Sequence, residues 1–236
     1  MTGLKMFRSY EEQFELMETH IKALARGKPE LAILEAGCGR RWTLNLEGVN
    51  FRLTGVDLDE KALSSRQDLD DAIVGDLRTV DLGGRKFDVV YSSYVLEHVP
   101  NAALALENLV RWLKPGGLLI LRFPDRNTAF GFTGRFTPFW LHVAYHKYIL
   151  RRWNAGKAGF GPYPTYYDWI VSREGLRDFC ASHRLRVREE YGLSDFQLER
   201  TVGTRLALAV SILVSALSLG RLPWRHNNLT YVLAKE

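Results

Sequence analysis

An apolar run that closes on an acid and two glycines is the stretch of this chain with the clearest chemical use. In Leu31-Ala-Ile-Leu-Glu-Ala-Gly-Cys-Gly39 the acid is Glu35 and the glycines are Gly37 and Gly39. Apolar residues without alternation suit a strand covered on both faces, and the glycines let the backbone turn sharply and come close to a ligand. Asp57 ends a second run, Phe51–Asp57, about 20 residues beyond that turn. Nucleoside-binding α/β folds place there the carboxylate that accepts hydrogen bonds from ribose hydroxyls. Asp76 closes a third run, Asp71–Asp76. A Gly-x-Gly turn alone is a weak signal, and Asp57 or Asp76 alone could be helix caps.

The elements that must position these residues follow from periodicity. Tyr10 to Arg26 places Phe14, Met17, Ile21 and Leu24 at helical spacing, with acids early and bases late as the helix dipole favours. Arg40 to Gly48 is too short and too poor in apolar periodicity for a long helix. Phe87-Asp-Val-Val-Tyr-Ser92 predicts a fourth strand, Asn101 to Leu113 an amphipathic helix, and Leu118 to Phe123 a fifth strand. Arg173 to His183 then predicts a helix, Leu185 to Tyr191 a strand and Asn228 to Ala234 the last strand. Strands alternating with helices at this spacing imply a doubly wound, mainly parallel sheet with ligands at the carboxyl ends of its strands.

Two segments break the alternation. From about 125 to 168 the chain is rich in aromatics, glycine and proline and carries a predicted helix, Phe139 to Leu150; this is a cap insertion, and caps usually carry substrate choice. From about 199 to 221 a second insertion holds the nearly all-apolar stretch Leu206 to Leu219. The 236 residues, 46% hydrophobic and 25% charged, suit one domain with both insertions. Two cysteines give neither a disulfide framework nor paired metal-ligand spacing, and the N-terminus does not resemble a secretory signal, so the expected compartment is the cytoplasm. A net charge of +5 is compatible with an anionic partner or with solubility alone.

The ordered set resembles the class I S-adenosylmethionine-dependent methyltransferases, of the small-molecule branch that includes quinone-biosynthesis enzymes. Leu34-Glu-Ala-Gly-Cys-Gly39 is similar to that family's first motif, Gly55-Val-Asp-Leu-Asp59 to its second, and Gly75-Asp-Leu77 to the element that meets the adenine. Tyr94-Val-Leu-Glu-His-Val99 and Leu113-Lys-Pro-Gly-Gly-Leu-Leu-Ile120 resemble the segments after the fourth strand and into the fifth. The resemblance implies a seven-stranded Rossmann-like sheet and S-adenosyl-L-methionine as cofactor. It implies that Glu35 reaches the cofactor's ammonium, that backbone N–H groups at Gly37 and Gly39 meet its carboxylate, and that Asp57 and Leu58 hold the ribose. Asp76 and Leu77 would then meet the adenine, and Ser92 would complete the set. Arg41 stands where the family carries a further glycine, and it either crowds the cofactor or adds a charge for its carboxylate. The same missing glycine argues against a nicotinamide-dependent oxidoreductase, which would need glycine at Trp42.

Methyl transfer from a sulfonium is an in-line displacement, so the protein has mainly to align the acceptor and remove a proton where the acceptor is a hydroxyl. His98, past the fourth strand, titrates in the useful range and is the first candidate base; Tyr94 and Asp125 lie at similar strand ends. Each has a structural alternative as a packing residue. His142 and His146, four apart on the cap helix, share a face, but no third ligand stands at a telling spacing, so no metal is expected. Tyr163-Pro-Thr-Tyr-Tyr-Asp168 either lines the acceptor pocket or packs as a corner.

The Leu206–Leu219 stretch spans about 21 Å as a helix, short of the roughly 30 Å hydrocarbon core of a bilayer. Ser211, Ser215 and Ser218 form a small-residue stripe, and Arg205, Arg221, Trp224 and Arg225 flank the stretch. It is therefore either an interfacial helix or a buried one packing through its serines. The expected activity is methyl transfer to a small or lipid-linked acceptor, with an anionic membrane surface, on its inner face, as partner. Alternatives are a catalytically inactive cofactor-binding module and a nucleic-acid methyltransferase. Against the last, no Asp/Asn-Pro-Pro-aromatic element follows the fourth strand and no long basic stripe with stacking aromatics is present.

Overall fold

The computed structural model describes residues 3–157, 160–199 and 201–236. Met1 and Thr2 of the N-terminal stretch, Ala158 and Gly159 of the cap and Arg200 of the apolar insertion lie outside the described residues. The strands are β1 (Lys5–Met6), β2 (Leu31–Ala36), β3 (Phe51–Asp57), β4 (Asp71–Val74), β5 (Phe87–Ser93), β6 (Leu113–Pro124), β7 (Leu185–Leu193) and β8 (Asn228–Lys235). They form one sheet in the order β1-β7-β8-β6-β5-β2-β3-β4. All pairs are parallel except β6–β8 and β7–β8, so β8 alone runs against its neighbours.

The eighth strand is the difference from the seven expected. Lys5 and Met6 pair with Tyr191 and Gly192 at the outer edge of β7, and two residues carry no readable alternation. β6 also starts earlier than Leu118, because Leu113 already pairs with Phe87 before an irregularity shifts the register to Val89↔Leu118.

Apolar residues of β2, β3, β5, β6 and β8 point alternately into two cores. One core holds Leu34, Val56, Val90, Leu119 and Phe123 with helix α3 (Ala102–Trp112) and helix α6 (Arg173–Ser182). The other holds Ile33, Leu53, Val89, Ile120 and Val232 with Met17 and Ile21 of helix α1 (Tyr10–Ala25). Burial on both faces is why the strands show no alternation in the sequence.

No helix joins β2 to β3. Residues 40–50 run as irregular backbone that drops Leu44 and Leu46 into the second core and sets Trp42 edge-on against Tyr91, with centroids 5.8 Å apart. The short helix α2 (Glu60–Ser64) follows β3, with the Asp59 side chain accepting from the N–H groups of Lys61 and Ala62 as its N-cap.

The cap begins with helix α4 (Ala129–Phe136), which the sequence reading missed, and continues with α5 (Phe139–Ala144) and a wider turn at Tyr145–Ile149, where one helix over 139–150 was expected. After β7 come α7 (Asp195–Leu198) and α8 (Val202–Leu217). α8 packs on α4 and α7. Its small side is inward, with Ser211 and Ser215 exposed to only 2% and 6%, while Leu213 and Leu217 are 59% and 75% exposed. Ser211 and Ser215 of the serine stripe thus pack inward, while Ser218 is half-buried and Leu213 and Leu217 face out. No helix of the described residues is long and apolar enough to cross a membrane.

Candidate active site

The carboxyl ends of β2, β3, β4 and β5 open onto a cavity of about 710 Å³, within the roughly 300–1,000 Å³ that small-molecule sites occupy. Glu35, Gly37, Gly39, Asp57, Leu58, Asp76, Leu77, Tyr94 and His98 all line it, as do Arg40, Arg41, Tyr163 and Tyr166. Sequence positions 35 to 98 therefore meet in one place, as the parallel crossovers require.

The glycine turn is built by close approach. Gly37 has φ +73°, and a Cβ there would sit 2.3 Å from Val95 Cγ2, so any side chain would displace the segment after β5. The N–H groups of Gly37 and Cys38 donate to the Val56 carbonyl, and Gly39 N–H donates to Asp57 Oδ2 at 2.8 Å. These amides are committed within the protein, so the turn does not present free N–H groups to a ligand carboxylate as expected. With no helix behind the turn there is also no helix N-terminus to take that anion. The cations at this wall are Arg40, which pairs with Asp59 at 3.5 Å, and the exposed Arg41, which pairs with no carboxylate among the described residues.

Asp57 fits a ribose diol. Its Oδ1 accepts from Asp59 N–H at 2.9 Å and its Oδ2 from Gly39 N–H, which fixes the carboxylate and leaves each oxygen a second lone pair for a hydroxyl. The Asp76 carboxylate is already gripped by the Arg78 guanidinium and by Arg78 N–H, a charge-assisted pairing that holds it well below the usual carboxylate range. Any adenine amine must share it with Arg78. Leu77 is buried beside it and Leu58 is exposed at the rim.

Glu35 is held from below by a residue the sequence reading did not single out. Arg66 Nη2 donates to Glu35 Oε2 at 2.8 Å, its Nη1 to the Cys38 carbonyl at 2.7 Å, and its Nε to Asp68. The Arg66 side chain is 1% exposed. Burial pushes the Glu35 carboxyl up to about 7, with Arg66 pulling the other way. Glu35 Oε1 makes no hydrogen bond within the described residues and is the atom left for a ligand ammonium. Nothing in the local sequence Ser65-Arg66-Gln67-Asp68 marks Arg66; only the fold brings it 31 residues back to Glu35.

His98 sits on a short 3-10 turn, Leu96–His98. Its Nδ1 lies 2.8 Å from the Pro164 carbonyl, which can only accept, so Nδ1 carries the proton and neutral His98 keeps its lone pair on Nε2. Burial holds its pKa below the usual histidine value. Three contacts stitch the tyrosine strap over this wall: Pro164 to His98, Tyr166 N–H to the Glu97 carbonyl, and Ala102 N–H to Asp168 Oδ2. The last contact caps α3 in place of Asn101, whose own side chain does not. The strap therefore lines the pocket through Tyr163 and Tyr166 and packs as a corner through Tyr167, which is buried.

Tyr94 stands at φ +57° over the guanidinium of Arg122, 5.0 Å from its ring centroid. Burial raises its phenol, which keeps it a hydrogen-bond donor and not a base. Arg122 is itself buried and ties the sheet to α1 by donating to Gln13 Oε1 at 2.7 Å.

Two expected site residues stand outside the cavity lining. Ser92 is buried and donates to the Ala36 carbonyl at 3.0 Å, whereas the next residue, Ser93, reaches the cavity. Asp125 lies past the end of β6 with Oδ2 against His226 Nε2 at 3.0 Å and Oδ1 accepting from Asn127 N–H. His142 and His146 lie apart from this site, in a second cavity, and no third metal-ligating side chain joins them among the described residues.

Residues 7–179 match the family described as methyltransferase domain. The chain is 31% identical over 120 residues to a malonyl-[acyl-carrier protein] O-methyltransferase of Erwinia pyrifoliae, covering 48% of this chain and 46% of that protein. It is 26% identical over 185 residues to a demethylmenaquinone methyltransferase of Bacillus cytotoxicus, covering 73% of each. The match spans about half the length of the first of these relatives. A solved S-adenosylmethionine-dependent methyltransferase from Mesorhizobium loti shares the fold, with a TM-score of 0.50 and 17% identity over 91% of this chain and 95% of that one. The glycine turn, the acid-ended strands and a family match over well over half the chain place this protein in the methyltransferase domain family, whose fold serves S-adenosylmethionine-dependent enzymes.

Proposed function

We propose that the chain transfers a methyl group from S-adenosylmethionine to a small or lipid-linked acceptor at a membrane surface. The observation that carries the transfer is that Asp57, Glu35 and His98 line one cavity, with His98 Nδ1 held by the Pro164 carbonyl and Nε2 3.8 Å from Glu97 Oε1. Asp57 would hold the ribose, Glu35 the ammonium and Leu77 an adenine face. Arg41, standing where the turn offers no free amide, would take the carboxylate. The cofactor supplies an electrophilic methyl on a sulfonium. His98 Nε2 would accept the acceptor's proton, while Tyr163 and Tyr166 exclude water above it.

The apolar side of α8 supports the membrane location. Leu206, Leu213 and Leu217 are exposed there, with Arg205, Arg221 and Arg225 exposed at its ends. Trp140 and Trp153 add exposed aromatic surface on the cap. Insertion of such side chains would hold the protein and charge would bring it to an anionic surface. Calorimetric titration with S-adenosylmethionine tests the cofactor site, and flotation with anionic liposomes at two salt concentrations tests the surface. Saturable binding and salt-sensitive flotation are expected; absence of cofactor binding overturns the enzyme reading, and protein that stays unbound at low salt overturns the membrane location.

A further inference from the structure

A second cavity, of about 730 Å³, lies between the cap and α8 and shares no lining residue with the first. Its shape follows from which residues face it. On the cap, lining positions recur as Leu141-His142, Tyr145-His146 and Ile149-Leu150; on α8 they recur as Gly203-Thr204, Leu206-Ala207 and Val210-Ser211. Pairs spaced by about one turn trace a continuous stripe, so the cavity is a trough running about 12 Å along α8 at 1.5 Å per residue. Gly203 lets the two walls close, since a Cβ there would lie 2.5 Å from Leu150 Cδ2, and Tyr145 Oη donates to the Gly203 carbonyl at 2.8 Å.

The trough lining joins apolar surface to unpaired cations. Its floor is apolar, with Phe130 edge-on to Phe196 at 5.0 Å. Leu141, Ile149, Leu206 and Val210 leave much of their surface to water, surface that an apolar ligand would cover. The cap contributes Arg151 and Arg152, neither paired with a carboxylate among the described residues, and the Arg152 backbone N–H donates to the His146 carbonyl. His146 Nδ1 is buried without a hydrogen-bond partner. Asp195 and Glu199 also line the trough and are already engaged. Tyr10 Oη donates to Asp195 Oδ1 and lies 3.3 Å from Glu199 Oε1, and Asn227 and Asn228 donate to Asp195 Oδ2. Arg151 and Arg152 are therefore the charged groups of the lining left without a partner among the described residues, and they are what it offers an anionic group.

We propose that this trough binds the hydrocarbon chain of a single-chain anionic amphiphile, with the chain between the cap and α8 and the acidic head at Arg151 and Arg152. The assignment rests on the lipid-linked acceptor reading and names what part of such an acceptor the protein grips away from the methyl group. Gly134, which lines the trough, faces the strap, since a Cβ there would lie 3.8 Å from Tyr167 Oη.

Titration of the purified chain with oleate below its micellar concentration, followed by calorimetry without S-adenosylmethionine, tests the proposal. One saturable site per chain is expected, with no binding of the cationic amphiphile dodecyltrimethylammonium. Ala207→Trp, which fills the trough, should weaken oleate binding at least tenfold, and Arg151→Glu with Arg152→Glu at least fivefold. Leu104→Trp, on α3, should leave it unchanged. Thermal unfolding checks each variant, and Val210→Phe replaces Ala207→Trp should that variant fail to fold. No saturable oleate binding to the wild-type chain, or binding unimpaired in both the trough-filling and the charge-reversed variants, overturns the proposal. Loss of S-adenosylmethionine binding with oleate binding intact would instead sink the enzyme reading alone.

Discussion

Arg66 Nη2 donates to Glu35 Oε2 at 2.8 Å beneath the glycine turn, and the same guanidinium reaches the Cys38 carbonyl at 2.7 Å. One buried cation therefore fixes both the acid at the end of β2 and the turn that follows it. Removing one partner of a buried pair leaves the other uncompensated, at a cost of about 3–5 kcal/mol. Arg66→Met should lower stability by that order at pH 8, as read by chemical denaturation. The loss should shrink at pH 5, where Glu35 can take a proton.

Glu35 also carries a pH signature of its own. Its carboxyl, raised by burial from the usual range to about 7, binds a proton more tightly in the folded chain than in the unfolded one. Its contribution is therefore fully present below about pH 4.3 and is lost as pH rises through about 7. Glu35→Gln should flatten the fall in stability across that window, measured as midpoints of urea unfolding at successive pH values.

Asp57→Ala should weaken S-adenosylmethionine by about 1.5–3 kcal/mol, because it removes charge-assisted hydrogen bonds to the ribose. It also frees the N–H groups of Gly39 and Asp59. Unchanged affinity in a folded variant would place the ribose elsewhere.

These residues differ in how far the sequence revealed them. Glu35, Gly37, Gly39, Asp57 and Asp76 were legible because each sits where an apolar strand stops, and parallel strands bring such ends together. The alternative was hidden where a partner comes from elsewhere in the chain or from a backbone path. Arg66 reaches Glu35 only through the fold, the amides of the turn are consumed by Val56 and Asp57, and Ser92 and Ser93 differ only in which one reaches the cavity. Asp125 was placed by its strand end, yet β6 is central and its end is covered by His226 and Asn127. Helix α4 was obscured by Gly131 and Gly134, which weaken its periodicity; the structure needs Gly131 there, because a Cβ would sit 2.3 Å from the Asp125 carbonyl.

His98→Gln should lower turnover at neutral pH while S-adenosylmethionine affinity stays within about twofold, since the residue is assigned to the acceptor side. In the wild type, activity should hold through neutral pH and fall only as pH drops below the ordinary histidine value, because burial lowers the pKa of His98. A pH–rate profile that the substitution does not move would make His98 a packing residue.

Leu213→Glu with Leu217→Glu should abolish flotation with anionic liposomes and leave the unfolding midpoint nearly unchanged, since both side chains already face water. A midpoint that collapses would mean that α8 packs through this side as well.

The most direct measurement of the central claim is incubation of the chain with methyl-labelled S-adenosylmethionine and separate aqueous and lipid extracts of cells. The account predicts label in a lipid-extract molecule, dependent on Asp57 and His98. Saturable cofactor binding with no label transferred to either extract would contradict it and leave a module that holds the cofactor without using it.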